Sequence, residues 1–301
     1  MTHFEAADRE LLPGFKRQFV QTREGSIMTL RAGEGPALLM LHGDPQTHLC
    51  WHHQAAQLAK HYTVVLTDLR GRGESHKPQP GAGLDAYAKR AMAAEQLEVM
   101  RALGHDRFAV VGHDRGARVA RRLALDHPQN VTRLVEMDIV PAGDFYDNTT
   151  AEIAQDYFYF FFLTQDHPIP ESLIAGDPRA FMRLILTGLS NKPVPYHPTA
   201  LETYLASASR ADAVAAMCEC FRAGFHLDRV HDAEDLANGD RIDCPTLVMW
   251  GEHGVVAQHF DLTAIWSRWC SDVDFLPMPT GHFIPEEAPE AVLSALLGFL
   301  E

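Results

Sequence analysis

Val110-Val111-Gly112-His113-Asp114-Arg115-Gly116-Ala117-Arg118 decides how the rest of the chain is read. The run Arg107 to Val111 reads as a buried strand, and Ala117 to His127 reads as a helix stopped by Pro128. Between them, Gly112 and Gly116 flank Asp114. This is the strand–tight turn–helix shape of a nucleophile elbow, G-x-Nu-x-G, with a carboxylate where serine is usual. The turn is strained, and a side chain at either glycine would meet neighbouring backbone.

Outward from the elbow, buried strands alternate with helical segments. Lys16 to Thr22 and Ser26 to Arg31 read as strands joined at Arg23-Glu24-Gly25, and Pro36 to Leu41 as a strand apolar on both faces. Trp51 to Lys60 has helical spacing, Tyr62 to Asp68 is another buried strand, and Leu84 to Leu103 reads as one long helix. Thr132 to Ile139 is the strand after the elbow helix. Pro245 to Gly251 and Val273 to Met278 are the last two strands, with a helix near Phe260 to Cys270 between them and a closing helix, Pro289 to Leu300. The fold class is α/β, a mostly parallel sheet with helices on both faces. Gly143 to Ala213 has no strand pattern; it is helical, aromatic over residues 157–162 and broken by prolines. It is expected to be a helical cap inserted over 143–213, with 1–142 and 214–301 forming the core.

Composition narrows the function classes. The chain has 301 residues, 46% of them hydrophobic, and a formal charge of −14, so no basic surplus is available for nucleic acid. The 17 histidines form no metal-type tract, and the cysteines at 50, 218, 220, 244 and 270 have no zinc-like spacing. No metal or other cofactor is expected. The polar stretch Met1 to Gly14 lacks the pattern of a signal peptide, and no apolar run approaches the ~18 residues of a membrane span. Reduced thiols and a cytoplasmic location are expected, with a small molecule as partner and no membrane.

The chemistry follows from the order of residues. In α/β-hydrolases the chain order is nucleophile, acid, histidine; here it is Asp114, Asp138, His282. Glu252, after the penultimate strand, is the alternative acid. A carboxylate nucleophile displaces a leaving group from saturated carbon and forms an alkyl-enzyme ester. Water then attacks that ester with His282 as base, so the leaving group is a halide or an epoxide oxygen. Arg115 and Arg118 lie one helical turn apart on one face, suited to clamping a substrate carboxylate. The competing reading pairs Arg118 with a core carboxylate.

The elbow, His42-Gly43-Asp44-Pro45-Gln46-Thr47, Asp68-Leu69-Arg70-Gly71-Arg72-Gly73-Glu74-Ser75 and Gly281-His282-Phe283-Ile284-Pro285-Glu286-Glu287-Ala288-Pro289 together resemble haloacetate (fluoroacetate-type) dehalogenases of the α/β-hydrolase superfamily. The resemblance runs over nearly the whole chain, and Asp114-Arg115-x-x-Arg118 is its most specific part. It implies the α/β-hydrolase fold, hydrolysis of a haloacetate to glycolate and halide, and commonly a homodimer. It implies backbone N–H groups of residues 44 and 115 as an oxyanion hole. It places the three donors to the leaving halide, a His-Trp pair and a later Tyr, at Tyr159, Phe160 and Phe221. Two of the three donors are then absent, so chloride or bromide is the expected leaving group and poor turnover of fluoroacetate follows. Asp44 stands where relatives usually carry an aromatic, and its carboxylate would repel an anionic substrate unless protonated or turned away. An epoxide hydrolase shares the Asp nucleophile but needs two cap tyrosines and gives the arginines no role. A hydrolase-fold binding protein with little turnover is the reading from a different class.

Overall fold

The computed structural model describes residues 2–79, 81 and 83–301. Eight strands form one sheet: β1 (Lys16–Gln21), β2 (Ser26–Ala32), β3 (Ala37–Leu41), β4 (Thr63–Thr67), β5 (Phe108–His113), β6 (Val131–Met137), β7 (Thr246–Gly251) and β8 (Val273–Met278), in the order β1-β2-β4-β3-β5-β6-β7-β8. The first two pairings, β1 with β2 and β2 with β4, are antiparallel. From β4 to β8 every pairing is parallel. Every residue of β3 and β5 is buried, which the unbroken apolar runs require. Each such side chain is worth about 1.5–3 kcal/mol on burial.

The sheet order reverses at β3, whose neighbours are β4 on one side and β5 on the other. That switch point opens a crevice beyond the strands' C-terminal ends, where open α/β sheets take ligands. The loops after β3 and β5 carry Asp44 and Asp114 into it.

Four α-helices precede β6: α1 (His3–Leu11), which packs against the helix Pro198–Ala208, then α2 (His52–Leu58), α3 (Lys89–Ala102) and α4 (Arg115–Asp126). The closing helix, Pro289–Leu300, packs beside α2, whereas α3 packs beside α4. Between β6 and β7 every regular element is helical, from Ala142 to Asn238. The boundary expected at residue 213 falls inside the helix Ala211–Ala223.

Three segments differ from expectation. The long helix expected over Leu84–Leu103 is broken: a 3-10 turn covers Leu84–Tyr87, Ala88 is extended, and α3 starts at Lys89. The cause is tertiary, since Asp228 accepts the Lys89 N–H at 2.7 Å and so caps α3 from a distant segment. The helix expected from Trp51 starts one residue later, as α2, behind a 3-10 turn over His48–Trp51. Helix α1, which was not expected, is closed by a capping box between Thr2 and Glu5.

Glu136 on β6 is fully buried, and neither carboxylate oxygen has a partner. Burial holds its carboxyl well above the ordinary 4.5, with Arg121 pulling the other way. Above about pH 4.5 the unfolded chain ionises this group while the folded chain does not, so stability is lost as pH rises. Glu136→Gln carries no such penalty. In urea denaturation its advantage over the parent is expected to widen by up to about 1.4 kcal/mol per pH unit between about pH 5 and about pH 7. An advantage that stays constant with pH overturns this.

Candidate active site

Asp114 stands between β5 and α4 at φ 50°, ψ −115°. Asp138, just beyond β6, also has φ 50°, and these two are the positive-φ residues other than glycine among the described residues. Both conformations cost energy, and the surroundings hold them. A Cβ at Gly112 would strike the Ala117 backbone, and one at Gly116 the carbonyl oxygens of Leu41 and His42. Only glycine lets β3, β5 and the first turn of α4 close up this far.

The structure brings Asp114, Asp138 and His282 together. His282 Nδ1 lies 2.6 Å from Asp138 Oδ2, and its Nε2 lies 3.8 Å from Asp114 Oδ2. The Gly251 N–H donates to the other Asp138 oxygen at 2.9 Å. With Nδ1–H on Asp138, Nε2 turns its lone pair toward Asp114. Glu252, the alternative acid, is exposed and does not pair with His282. Burial opposes ionisation of Asp114, but the charges of His282 and Arg115 and the Asp44 N–H hold it at about 2. Burial also works against charge on His282, yet the hydrogen bond and charge of Asp138, with the charge of Asp114, raise it above its ordinary 6.5.

Arg115 and Arg118 are 1% and 3% exposed, and neither has an acid within ion-pair distance among the described residues. All three Arg115 nitrogens lack a partner, as do both terminal nitrogens of Arg118, whose Nε donates to the Val140 carbonyl at 3.1 Å. The reading that pairs Arg118 with a core carboxylate therefore fails. The residues expected to line the halide pocket gather around Arg115 instead. Its guanidinium carbon lies 3.6 Å from the Phe221 ring centre and 4.8 Å from that of Phe160. Tyr159 meets Phe221 edge-on at 6.1 Å. Two apolar rings thus fix the cation by its face and leave its edge free for an anion.

Asp44 corrects a further expectation. Its carboxylate is buried and turned onto Arg72, with which it forms a two-point ion pair. Its backbone N–H donates to Asp114 Oδ1 at 3.0 Å. Arg115, the first residue of α4, supplies one of the amides that a helix start leaves unpaired.

Sequence reasoning missed Arg72, although it lies in the quoted loop, and missed Glu287. The Glu287 carboxylate accepts the N–H groups of Gly281 and Phe283, on either side of His282, and of Asn191 in the helical region. The His282 N–H in turn donates to the Leu189 carbonyl at 3.0 Å. His113 donates its Nε2–H to the His282 carbonyl at 2.8 Å, and burial lowers its pKa to about 3, so it packs beneath the loop as a neutral group. Tyr146, also unanticipated, buries a hydroxyl without a partner. Among the described residues no group of three or more His, Cys, Asp or Glu is arranged to hold a metal ion, and no helix is long and apolar enough to cross a membrane. All five cysteines are free.

Residues 36–289 match the model of the α/β-hydrolase fold family. The chain is 37% identical over 291 residues to a fluoroacetate dehalogenase from Burkholderia sp, covering 96% of this chain and 95% of that one. It is 29% identical over 307 residues to a soluble epoxide hydrolase from Corynebacterium sp. strain C12, covering 99% and 97%. Among solved structures it resembles a provisionally assigned α/β hydrolase from Nostoc sp PCC 7120, with 44% identity, TM-score 0.93 and coverage of 95% and 98%.

Two buried guanidinium groups without counter-charges are costly to keep dry. Acetate, a small carboxylate, is expected to raise the melting temperature of the parent protein. Arg118→Met is expected to melt higher than the parent without acetate and to lose most of the acetate response. Thermal denaturation of both proteins across an acetate series checks this, and an unchanged acetate response in the variant overturns it.

Proposed function

The chain belongs to the α/β-hydrolase fold family, and on that footing we propose that this hydrolase is a dehalogenase of short 2-haloacids, converting a haloacetate and water to glycolate and halide. The reading rests on one observation above the others: Arg115 and Arg118 are buried without acidic partners beside an ionised carboxylate nucleophile. A substrate carboxylate supplies the missing charge, and its binding sets the α-carbon in line with Asp114.

In this mechanism an Asp114 oxygen attacks the α-carbon, the carbon–halogen pair leaves with the halide, and Asp114 becomes an alkyl ester. The negative charge that helped to raise His282 is then gone, so its pKa falls and Nε2 becomes a competent base. It takes a proton from water as the water oxygen bonds to the Asp114 carboxyl carbon. The N–H groups of residues 44 and 115 hold the resulting oxyanion. The intermediate collapses, the glycolate oxygen takes the proton from His282, and Asp114 returns carrying one oxygen from water, whose remaining proton is released to solvent as the carboxylate reforms. Tyr159 is the one hydroxyl among the three residues assigned to the leaving group, which favours chloride and bromide over fluoride. The 143–213 segment acts as the cap that keeps water and rival anions out. The free cysteines fit a cytoplasmic enzyme.

An epoxide hydrolase is the second reading, favoured by the 29% identical relative of that name. It assigns Tyr159 to the epoxide oxygen and leaves the two arginines without a task.

His282→Asn separates the readings, because it stalls the ester. After incubation with chloroacetate, the Asp114 peptide is expected to gain the mass of a carboxymethyl group, with much less gained from fluoroacetate and none from styrene oxide. A styrene oxide adduct without a haloacid adduct reverses the assignment. In single turnovers of the parent, ester formation is expected to be flat from about pH 5 to about pH 9, because Asp114 is ionised throughout. Ester hydrolysis is expected to rise with pH as His282 loses its proton. Hydrolysis that falls across that range removes His282 as the base.

A further inference from the structure

Asp44 faces two ways. Its amide reaches the nucleophile, Asp44 N–H to Asp114 Oδ1 at 3.0 Å. Its carboxylate reaches Arg72, with Oδ2 2.6 Å from a terminal nitrogen and Oδ1 on Nε. Both side chains are buried, at 8% and 5% exposure. Two carboxylates, Asp44 and Asp114, therefore stand in one dry pocket, joined through a single backbone amide.

The loop that delivers Arg72 is braced separately from the active site. Asp68, itself buried, accepts the Glu74 N–H at 3.0 Å, the His48 N–H at 3.1 Å and the Ser75 hydroxyl at 2.6 Å, the last on its carbonyl. The His48 ring is held between Asp68 and Asp8 of α1, at 2.8 Å from each. Gly73 has φ 50°, and a Cβ there would strike the Asp68 carboxylate. Arg72 thus stands on a rigid mount, and its bidentate fork leaves the Asp44 side chain one position.

We propose that Arg72 is a positioning residue for the reaction: it fixes the residue-44 amide on the nucleophile and cancels the Asp44 charge, so the pocket accepts an anion. The second half rests on the haloacid reading above; the first half does not. Without Arg72, Asp44 would repel a bound carboxylate and oppose ionisation of Asp114, as like charges at close range do. A merely structural pair would lower stability and turnover alike for every substrate. The pair proposed here distinguishes substrates by charge.

The test compares Arg72→Met, Asp44→Asn and the double variant, using chloroacetate and its neutral counterpart chloroacetamide. Arg72→Met is expected to raise the chloroacetate KM about tenfold or more while, in the His282→Asn background that retains the ester, changing the rate of Asp114 labelling by chloroacetamide by less than about threefold. The double variant, which leaves no buried charge unpaired, is expected to return the chloroacetate KM to within about threefold of the parent. An equal loss on both substrates, or a double variant no better than Arg72→Met, overturns the electrostatic role. If the His282→Asn enzyme, with Arg72 and Asp44 intact, labels Asp114 with chloroacetamide but not with chloroacetate, the haloacid reading has failed instead. The positioning role is read independently from hydrolysis of the Asp114 ester in single turnovers with chloroacetamide, expected to slow about tenfold in Arg72→Met and to stay slow in the double variant, since both lose the fork that fixes the residue-44 amide. An unchanged hydrolysis rate overturns it.

Discussion

At Asp114 the backbone is held where an L-residue pays roughly 1–3 kcal/mol to stand. What holds it is the closeness of β3, β5 and the start of α4. Gly116 lies against the carbonyls of Leu41 and His42, and the Asp114 N–H donates to the Met137 carbonyl of β6. Because β3 and β5 are also the strands at the switch point, one packing constraint fixes both sides of the site. It sets Asp114 on one strand's end and the amide of residue 44 on the other's. Asp138 repeats the arrangement one strand further along, with its own positive φ and its own neighbour's amide, from Gly251.

The electrostatics depend on that geometry. Helix α4 turns four buried arginines, at positions 115, 118, 121 and 122, away from solvent. The outer two are matched by acids from the helix Arg229–Asn238, Arg121 by Asp232 and Arg122 by Asp235. The inner two, nearest the nucleophile, are matched by none. Charge is therefore balanced along the helix except in its first turn, at Arg115 and Arg118. In a buried setting such an imbalance acts over longer distances than it would in water.

Much of this was legible in the sequence. Continuous apolar runs marked β3, β4, β5 and β7, and the glycines around Asp114 marked the elbow. The order of Asp114, Asp138 and His282 gave the residues that meet, since each lies at a strand end whose position the parallel sheet dictates. What was not legible depends on contacts between distant segments. Nothing in Leu84 to Leu103 announces a break at Ala88, because the residue that makes it, Asp228, lies far along the chain. Arg72 and Asp44 read separately as a loop cation and an awkward carboxylate; only their meeting gives either a role. Phe160 and Phe221 read as missing hydrogen-bond donors, and their faces turned out to stack on Arg115. The capping box of α1, in contrast, was present in Thr2 and Glu5 and passed unread.

The hydrogen bonds around His282 alter what the helical insertion is. Leu189 holds the histidine's own amide, and Asn191 shares Glu287 with the residues on either side of it. Gly281 is a glycine because the backbone of residues 189–191 runs against it. The segment following the helix Pro178–Gly188 is therefore part of the mounting of His282. Residues 189–191 and 281–287 form one inheritable unit split between two places in the chain. A chimera that exchanges the insertion between relatives keeps its base in register only when both halves come from the same parent.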